Sequence, residues 1–240
     1  VTPACIEMVW PQGEGGKLGI VADDLTGALD TAAVFAGPVP VYIDHPPADQ
    51  EDATAPIAAL ATGTRDIAPD SLPERLQPAL DWLRAGTVAY KKVDSLLRGN
   101  TFAETAWIAQ HGSFNLTVFA PAFPAQGRIT TEDRQWILQR DGTREGVATP
   151  LIEAFSALNR RACSSFANDG VCDTWIPEIL TDADLDRVVA TVENSAAASP
   201  LWCGSAGLAH ALARRWQWAI SLWKNMGLSA AQALAQAKDD

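Results

Sequence analysis

The sequence has few of the residues that build disulfide frameworks or metal sites. Its 240 residues include only four cysteines and three histidines. The cysteines, at positions 5, 163, 172 and 203, form no CxxC pair, and the histidines lie far apart. Disulfide scaffolds and zinc sites need closer spacing than this. We therefore expect neither a disulfide framework nor a metal site, and a chain of this length can hold a hydrophobic core without them.

Positive charge is also scarce. Lysine and arginine number 18 against 29 acidic residues, which gives a net charge of -11 and an isoelectric point near 4.6. A nucleic-acid-binding protein normally carries a basic surface, so we do not expect a nucleic-acid partner. A small anionic ligand would have to be bound by local cations that act against the overall field.

Long apolar runs are absent. No stretch approaches the length needed to cross a bilayer, and the first residues show no basic region followed by an apolar one. We expect no membrane association, no secretory signal and a cytoplasmic location. With 48% hydrophobic and 20% charged residues, the composition is that of a globular protein and excludes a disordered chain.

Apolar runs of strand length alternate with amphipathic stretches along the chain. The pattern predicts strands at 18–22, 39–43, 56–61, 88–91, 116–120 and 200–203. It predicts helices at 28–35, 72–84, 149–159, 182–192 and 206 to about 218, with Ser71 and Thr181 as N-terminal caps of the second and fourth. This alternation favours an α/β fold with a mostly parallel, doubly wound sheet and helices on both faces.

Five polar segments each follow a predicted strand. They are 23–27, 62–66, 92–100, 121–128 and 204–207. In a parallel sheet such segments meet at the carboxyl edge, where open α/β folds bind their ligands. Loops between strands and helices are polar in any case, but the amide and charged side chains here favour a ligand site.

Asp23 and Asp24 lie where the first strand leads into a helix. The helix amides stabilise carboxylates at this position, and one of the two could accept a hydroxyl proton or bind a polyol. Alternatively, Asp24 simply caps the helix. As a further alternative, the Asp23/Asp24 pair could serve a metal-dependent hydrolase.

The segment KKVDSLLRGN, residues 91–100, contains several side chains that can bind a ligand. Arg98 can bind a carboxylate through two hydrogen bonds, and Lys92 adds a second cation. Asp94, Ser95 and Asn100 suit sugar hydroxyls. The alternative is a solvated surface loop.

Two further turns carry weaker signals. In APAFPAQGR, residues 120–128, two prolines fix the backbone beside Gln126 and Arg128. In CGSAGLA, residues 203–209, Gly204 and Ser205 offer backbone amides that can bind an anion at a helix start. Either turn could equally be a structural turn that binds no ligand.

These two segments, together with VADDLTGA (21–28) and KKVDSLLRGN, resemble the motifs of the four-carbon acid sugar kinase family, in that family's order. The resemblance covers about residues 17–216. Where the family usually reads DSTLRGN, this chain has Leu96 in place of the threonine, so a hydroxyl is missing there.

The resemblance implies an enzyme that phosphorylates four-carbon sugar acids of the threonate, erythronate or 2-oxo-tetronate type with ATP and Mg²⁺. It also implies two α/β domains, the first for the sugar acid and the second for the nucleotide. Asp24 would be the catalytic base, with Asp23 or Asp94 as alternatives. Arg98, with Lys92, Arg65 or Arg128, would hold the substrate carboxylate. The hydroxyls of the substrate would be bound by Asp23, Asp94, Ser95, Asn100 and Gln126.

The same resemblance predicts how the chain is divided. Residues 1–16 would be an N-terminal extension, 17–216 the sugar-acid-binding domain and 217–240 a helical tail, with no counterpart of the nucleotide domain. We therefore expect the substrate-binding part of such a kinase, inactive without that domain. A stand-alone sugar-acid binding or regulatory domain is the alternative, and either could form a homo-oligomer.

Overall fold

A computed structural model describes residues 17–35, 38–47, 55, 57–86, 88–147, 149–166, 171–195 and 199–225, with only the backbone for 216–225. The expected extension at 1–16 and residues 226–240 of the expected tail lie outside these ranges. The last helix runs to Asn225 without a break at 216.

In the residues that the structure describes, eleven strands are arranged in two sheets. They are β1 (Leu18–Ala22), β2 (Val41–Ile43), β3 (Ile57–Ala61), β4 (Val88–Lys92), β5 (Leu116–Ala120), β6 (Arg128–Thr131), β7 (Arg134–Leu138), β8 (Arg144–Gly146), β9 (Ala162–Cys163), β10 (Thr174–Trp175) and β11 (Pro200–Gly204). The main sheet has the order β2-β3-β1-β4-β11-β5-β10-β9, and all its strand pairs are parallel. A smaller antiparallel sheet contains β6, β7 and β8.

The described part of the chain also contains six α-helices, which cover the main sheet. They are α1 (Leu25–Ala32), α2 (Leu72–Arg84), α3 (Thr101–His111), α4 (Leu151–Ser156), α5 (Asp182–Glu193) and α6 (Ala206–Asn225). One buried cluster joins Leu18, Ile20 and Ala22 to residues of α1, α5 and α6. The other joins Val21 to residues of α2, α3 and α4. Alternate residues of β1 thus serve opposite faces, as the strand period requires, and the prediction of a doubly wound sheet is confirmed.

The topology creates a crevice beside β1. This strand pairs with β3 on one side and β4 on the other, while α1 and α2 pack on opposite faces of the sheet. The chain therefore changes direction here, which is the place where open α/β sheets leave room for a ligand at their carboxyl edge.

Local signals in the sequence account for several element boundaries. The predicted helix at 72–84 is observed with the same bounds, although the Ser71 side chain makes no capping hydrogen bond. Thr181 caps α5 through a reciprocal capping box with Asp184. Helix α1 begins at Leu25, three residues before its predicted start, because the Asp24 side chain accepts a hydrogen bond from Gly27 N and caps it. Within the described part of the chain, no helix is long and apolar enough to cross a membrane.

The expectation that the cysteines form no disulfide is wrong for one pair. Cys163 and Cys172 are joined, with Cα atoms 6.1 Å apart, a separation normal for a disulfide. Cys163 ends β9 and pairs in register with Trp175 of β10, and the disulfide joins it to Cys172, which lies two residues before that strand. Cys203 is free and buried, and Cys5 lies outside the described residues.

Candidate functional site

The polar segments that follow β1, β3, β4, β5 and β11 leave the sheet at one edge, as the sequence predicted. The strands are parallel, so their carboxyl ends share that edge. Backbone bonds hold neighbouring segments together. Thr64 N donates to Asp23 O at 3.0 Å, and Val93 N donates to Gly204 O at 2.9 Å. The segments after β3, β1 and β4 form the charged part of the edge.

Arg65 bridges both carboxylates that follow β1. Its Nε and Nη2 donate to the two oxygens of Asp23 at 2.8 and 3.2 Å, and its Nη1 donates to Asp24 Oδ2 at 2.6 Å. The Asp23 side chain is 2% exposed and that of Asp24 is 26% exposed. Asp23 is thus buried and holds Arg65 in place, while Asp24 is partly exposed and can contact a ligand.

These contacts set the charge state of Asp23. Burial alone would raise its pKa, but the charges of Lys91, Arg65 and Lys92, with the Arg65 hydrogen bond, lower the pKa below its usual value. Asp23 is therefore a carboxylate at neutral pH. Burial would also lower the pKa of Arg65, but its carboxylate partners, Asp23 first, raise that pKa, so the pair is ionised.

Arg98 pairs with Asp94 in the segment after β4. The guanidinium binds both oxygens of Asp94 through Nε and Nη2, the latter at 3.2 Å. The Asp94 side chain is 9% exposed, whereas Arg98 is 62% exposed. Burial would raise the pKa of Asp94, but Arg98 lowers it below the usual value. Arg98 therefore presents an exposed cation above a buried carboxylate.

Lys92 is a buried cation of this site. Its ammonium makes no hydrogen bond or ion pair within the described residues. Burial lowers its pKa, although the nearby charges of Asp23, Asp94 and Asp24 act in the opposite direction. A Cβ added to Gly27 would lie 3.1 Å from Lys92 Nζ, so the ammonium lies against the first turn of α1.

Asn100 and Gly99 hold the Arg65 loop in place. The Asn100 amide donates to the carbonyl oxygens of Thr64 and Ile67, each at 2.9 Å. Gly99 has φ +68°, and a Cβ there would lie 2.6 Å from both Arg65 Cγ and Arg65 O. The Asn100 donors are thus occupied by the protein, while its role toward a hydroxyl stays a prediction.

The remaining predicted residues lie further from this cluster. The Ser95 hydroxyl has no partner within the described residues, and Ser95 O accepts from Gln135 Nε2 at 2.9 Å, which ties β7 to the segment. Gln126 is exposed, and its carbonyl oxygen accepts a hydrogen bond from Arg128 Nη1. Among the described residues, no hydrogen bond joins Gln126 or Arg128 to the Asp23–Arg65 group.

The turn at Gly204 and Ser205 is tightly packed. Ser205 Oγ donates to Ala122 O at 2.7 Å and accepts from Gly207 N at 3.1 Å. A Cβ on Gly204 would lie 2.8 Å from Ala120 O. The small residues thus let β11 and α6 approach the segment after β5, and anion binding at this turn stays a prediction.

A groove also lies at the opposite edge of the sheet. Leu18, Tyr42, Trp82 and Gly86 are among the residues that line it. Leu18 stands at the amino end of β1 and Gly86 lies just after α2, away from the charged cluster. Lys17 is the one charged residue among those described in the lining, and the other walls are largely apolar and aromatic. An anionic ligand would therefore meet a single cation in this groove.

Sequence reasoning missed one feature beneath the site. Lys91 and Glu104 form an ion pair at 2.7 Å with both side chains almost fully buried. Glu104 belongs to α3, a helix that the pattern did not predict. A buried lysine next to a strand end was visible in the sequence, but nothing in the sequence identified its partner.

The structure is an open α/β domain with a charged carboxyl edge. Residues 18–153, more than half of the chain, match the family model described as a sugar-binding N-terminal domain. The chain belongs to this family.

Curated relatives carry kinase names. The chain is 33% identical over 229 residues to a D-threonate kinase of Cupriavidus necator, a match that covers 81% of this chain and 53% of that protein. It is 23% identical over 231 residues to a 3-oxo-tetronate kinase of Brucella melitensis, covering 83% and 53%. The chain therefore spans about half the length of these relatives.

A solved structure shares the fold. It is a protein from Bordetella bronchiseptica, described as a domain of unknown function with bound citrate and as a domain-swapped dimer. The TM-score is 0.68 at 26% identity, and the match covers 83% of this chain and 56% of that one.

Proposed function

We propose that this chain is the substrate-binding part of a kinase that phosphorylates four-carbon sugar acids. The observation that carries the proposal is Lys92, a buried ammonium without a bonding partner that faces three carboxylates at the switch point of the sheet. The names of the relatives, D-threonate kinase and 3-oxo-tetronate kinase, support a small sugar acid as the ligand. The citrate bound by the Bordetella protein supports a carboxylate-bearing one.

We assign the following roles to the residues, and the geometry supports them. Lys92 and Arg98 hold the substrate carboxylate. All three guanidinium nitrogens of Arg65 donate to Asp23 and Asp24, whereas Arg98 binds Asp94 through Nε and Nη2 and is 62% exposed. Asp24 accepts the proton of the reacting hydroxyl, because it is more exposed than Asp23. Phosphoryl transfer depends mainly on positioning and charge neutralisation, which suits a carboxylate held by a helix cap and an arginine.

The described residues do not fit a resident Mg²⁺. They contain no group of three or more side chains of the metal-binding kinds close together, and Asp23, Asp24 and Asp94 accept hydrogen bonds from arginines. We assign ATP and Mg²⁺ to the part of the relatives that this chain does not span. On this basis the chain alone binds sugar acid and transfers no phosphate.

The two alternatives differ in their support. A stand-alone binding domain would use the same site, so only its biological context differs. A metal-dependent hydrolase built on Asp23 and Asp24 is less favoured, because Arg65 occupies the space between these carboxylates.

Binding of the isolated chain to D-threonate without nucleotide tests the proposal. We expect D-threonate to raise the Tm with ligand concentration, as ligand linkage requires. Threitol, which has the hydroxyls but no carboxylate, is the matched ligand control and should have no effect. Equal stabilisation by both would refute the carboxylate site, and phosphate transfer from ATP by the chain alone would refute the division of roles.

We also propose that the chain forms a homo-oligomer, since the Bordetella protein is described as a domain-swapped dimer. Light scattering coupled to size-exclusion chromatography decides this. A mass equal to 25.6 kDa at all concentrations would rule it out.

A further inference from the structure

A fully buried ion pair lies directly below the proposed site. The Lys91 ammonium is 2.7 Å from Glu104 Oε2, and the two side chains are 1% and 0% exposed. Neither group reaches the open edge, so neither can touch a ligand. The ammonium also donates to Lys92 O at 2.9 Å, which fixes it under the end of β4.

A contribution to stability does not explain why the chain buries this ion pair. Burying two opposite charges is expensive, and replacing a buried pair by apolar residues of similar volume is often neutral or stabilising. The Glu104 oxygens also receive no well-aligned hydrogen bond from the described residues, so their desolvation is poorly compensated.

The charge of Lys91 acts on Asp23. The register pairs Val21 with Lys91 and Ala22 with Lys92, so Asp23 follows directly beyond β1. Burial raises the pKa of Asp23, and the charge of Lys91 is the largest single cause that lowers it; Arg65 lowers it through both a hydrogen bond and its charge, and Lys92 lowers it less. The groups that face Lys91 are Glu104 of α3, Asp23 and Cys203 of β11. Burial raises the pKa of Cys203 to about 12, so this thiol carries no charge at neutral pH.

We propose that Lys91 and Glu104 form a positioning pair for the binding edge. Glu104 holds the Lys91 ammonium below Asp23, and the ammonium keeps Asp23 as the carboxylate that accepts two hydrogen bonds from Arg65. Because Arg65 also holds Asp24, the pair thereby fixes the geometry of the residues that meet the ligand. The role toward the ligand rests on the proposed function, whereas the effect on Asp23 does not.

The double variant Lys91→Met/Glu104→Gln tests this pair without leaving a lone buried charge. The readout is the midpoint of the Asp23 carboxyl titration, followed by carbon-13 NMR and assigned with Asp23→Asn. We expect a folded protein with a Tm near the wild-type value and a midpoint at higher pH, because burial then acts on Asp23 without Lys91. An unchanged midpoint in a folded double variant would overturn the proposal.

The single variant Glu104→Gln tests the part that the proposal gives to Glu104, because it leaves Lys91 buried without its counter-ion. We expect a lower Tm than in the double variant and an Asp23 midpoint above the wild-type value. A Glu104→Gln protein with the wild-type Tm and the wild-type Asp23 midpoint would overturn the role of Glu104. Titration with D-threonate by calorimetry gives the second readout. The pH at which affinity is lost should move upward in the double variant together with the Asp23 midpoint. A wild-type chain that binds no D-threonate would refute the proposed function, while the Asp23 midpoint would still test the pair.

Discussion

Lys91 and Lys92 are neighbours in the chain that serve opposite faces of the sheet. Successive side chains of a strand alternate, so Lys91 meets Glu104 on α3 while Lys92 lies against Gly27 of α1. One ammonium is neutralised within the protein, and the other faces carboxylates without bonding to them. Of the two, only Lys92 can form an ion pair with a ligand without first breaking an ion pair within the protein.

Replacing this lysine should separate binding from stability. We expect Lys92→Met to weaken D-threonate binding by about ten- to a hundredfold, because a hydrogen bond to a charged group contributes roughly 1.5–3 kcal/mol. The free energy of unfolding should stay the same or rise, since burial of the ammonium lowers its pKa and the folded state disfavours the charge. Calorimetry and urea denaturation measure the two effects.

Arg140→Met is the matched control, as it removes one positive charge from an exposed turn. It should leave the affinity for D-threonate within about twofold of wild type, a change under about 0.5 kcal/mol. A comparable loss in both variants would show that overall charge, and not the position of Lys92, governs binding.

For single residues, the sequence predicted which side chains have a chemical role, but it did not predict which side chains they contact. The two readings of Asp24, a cap and an open carboxylate, are compatible in the structure, because one oxygen accepts from Gly27 N and the other from Arg65. The engagement of Arg65 by two carboxylates depends on side chains 41 and 42 positions apart, and a single sequence does not reveal such a contact.

The segment after β4 and the loop after β3 fit together through a glycine. We expect Gly99→Ala to reduce the free energy of unfolding by about 2 kcal/mol or more beyond the usual cost of a positive φ. The added Cβ would lie 2.6 Å from Arg65, so D-threonate affinity should fall as well. Denaturation and calorimetry check both effects.

Gly142→Ala is the control for backbone strain. Gly142 also has a positive φ, +84°, but a Cβ there meets nothing within 4 Å. Its substitution should cost only about 1 kcal/mol and leave binding intact. Equal effects of the two substitutions would mean that close contact with Arg65 contributes nothing.

Helix α3 shows why one element was not predicted. Its buried face includes Thr101 and Thr105, whose hydroxyls donate to Arg98 O and Thr101 O. Threonines that satisfy their hydroxyls in this way can be buried, but they interrupt the apolar period on which a helix prediction depends. The antiparallel sheet of β6, β7 and β8 escaped for a similar reason, since its strands are short and rich in charged residues.

The whole molecule carries a charge of -11, yet the binding edge is balanced. Asp23, Asp24 and Asp94 face Arg65, Lys92 and Arg98, three charges of each sign. The basic residues are too few for a nucleic-acid surface, but they are concentrated where a small anion would enter. The alternation of strands and polar loops was sufficient to predict this edge.

The depressed pKa values of Asp23 and Asp94 give the stability a pH dependence of known sign. Unfolded aspartate titrates near pH 3.9, and both folded values lie below their usual range. The stabilisation is therefore present above about pH 4 and is lost as the pH falls through the folded values. Urea denaturation at several pH values should show a steep fall below about pH 4.

Asp23→Asn should reduce stability at neutral pH and make that acid slope shallower, because the group no longer titrates. A slope equal to that of the wild type would show that other carboxylates cause the acid loss.

The central claim is that the ligand binds at the carboxyl edge where β3, β1 and β4 meet. Amide chemical shifts measured during a D-threonate titration test it most directly. The account predicts the largest changes at Gly27, Arg65 and in the segment from Asp94 to Gly99, with saturation at one stoichiometric equivalent. Changes concentrated at Leu18, Tyr42 and Gly86, around the groove at the opposite edge, would contradict it.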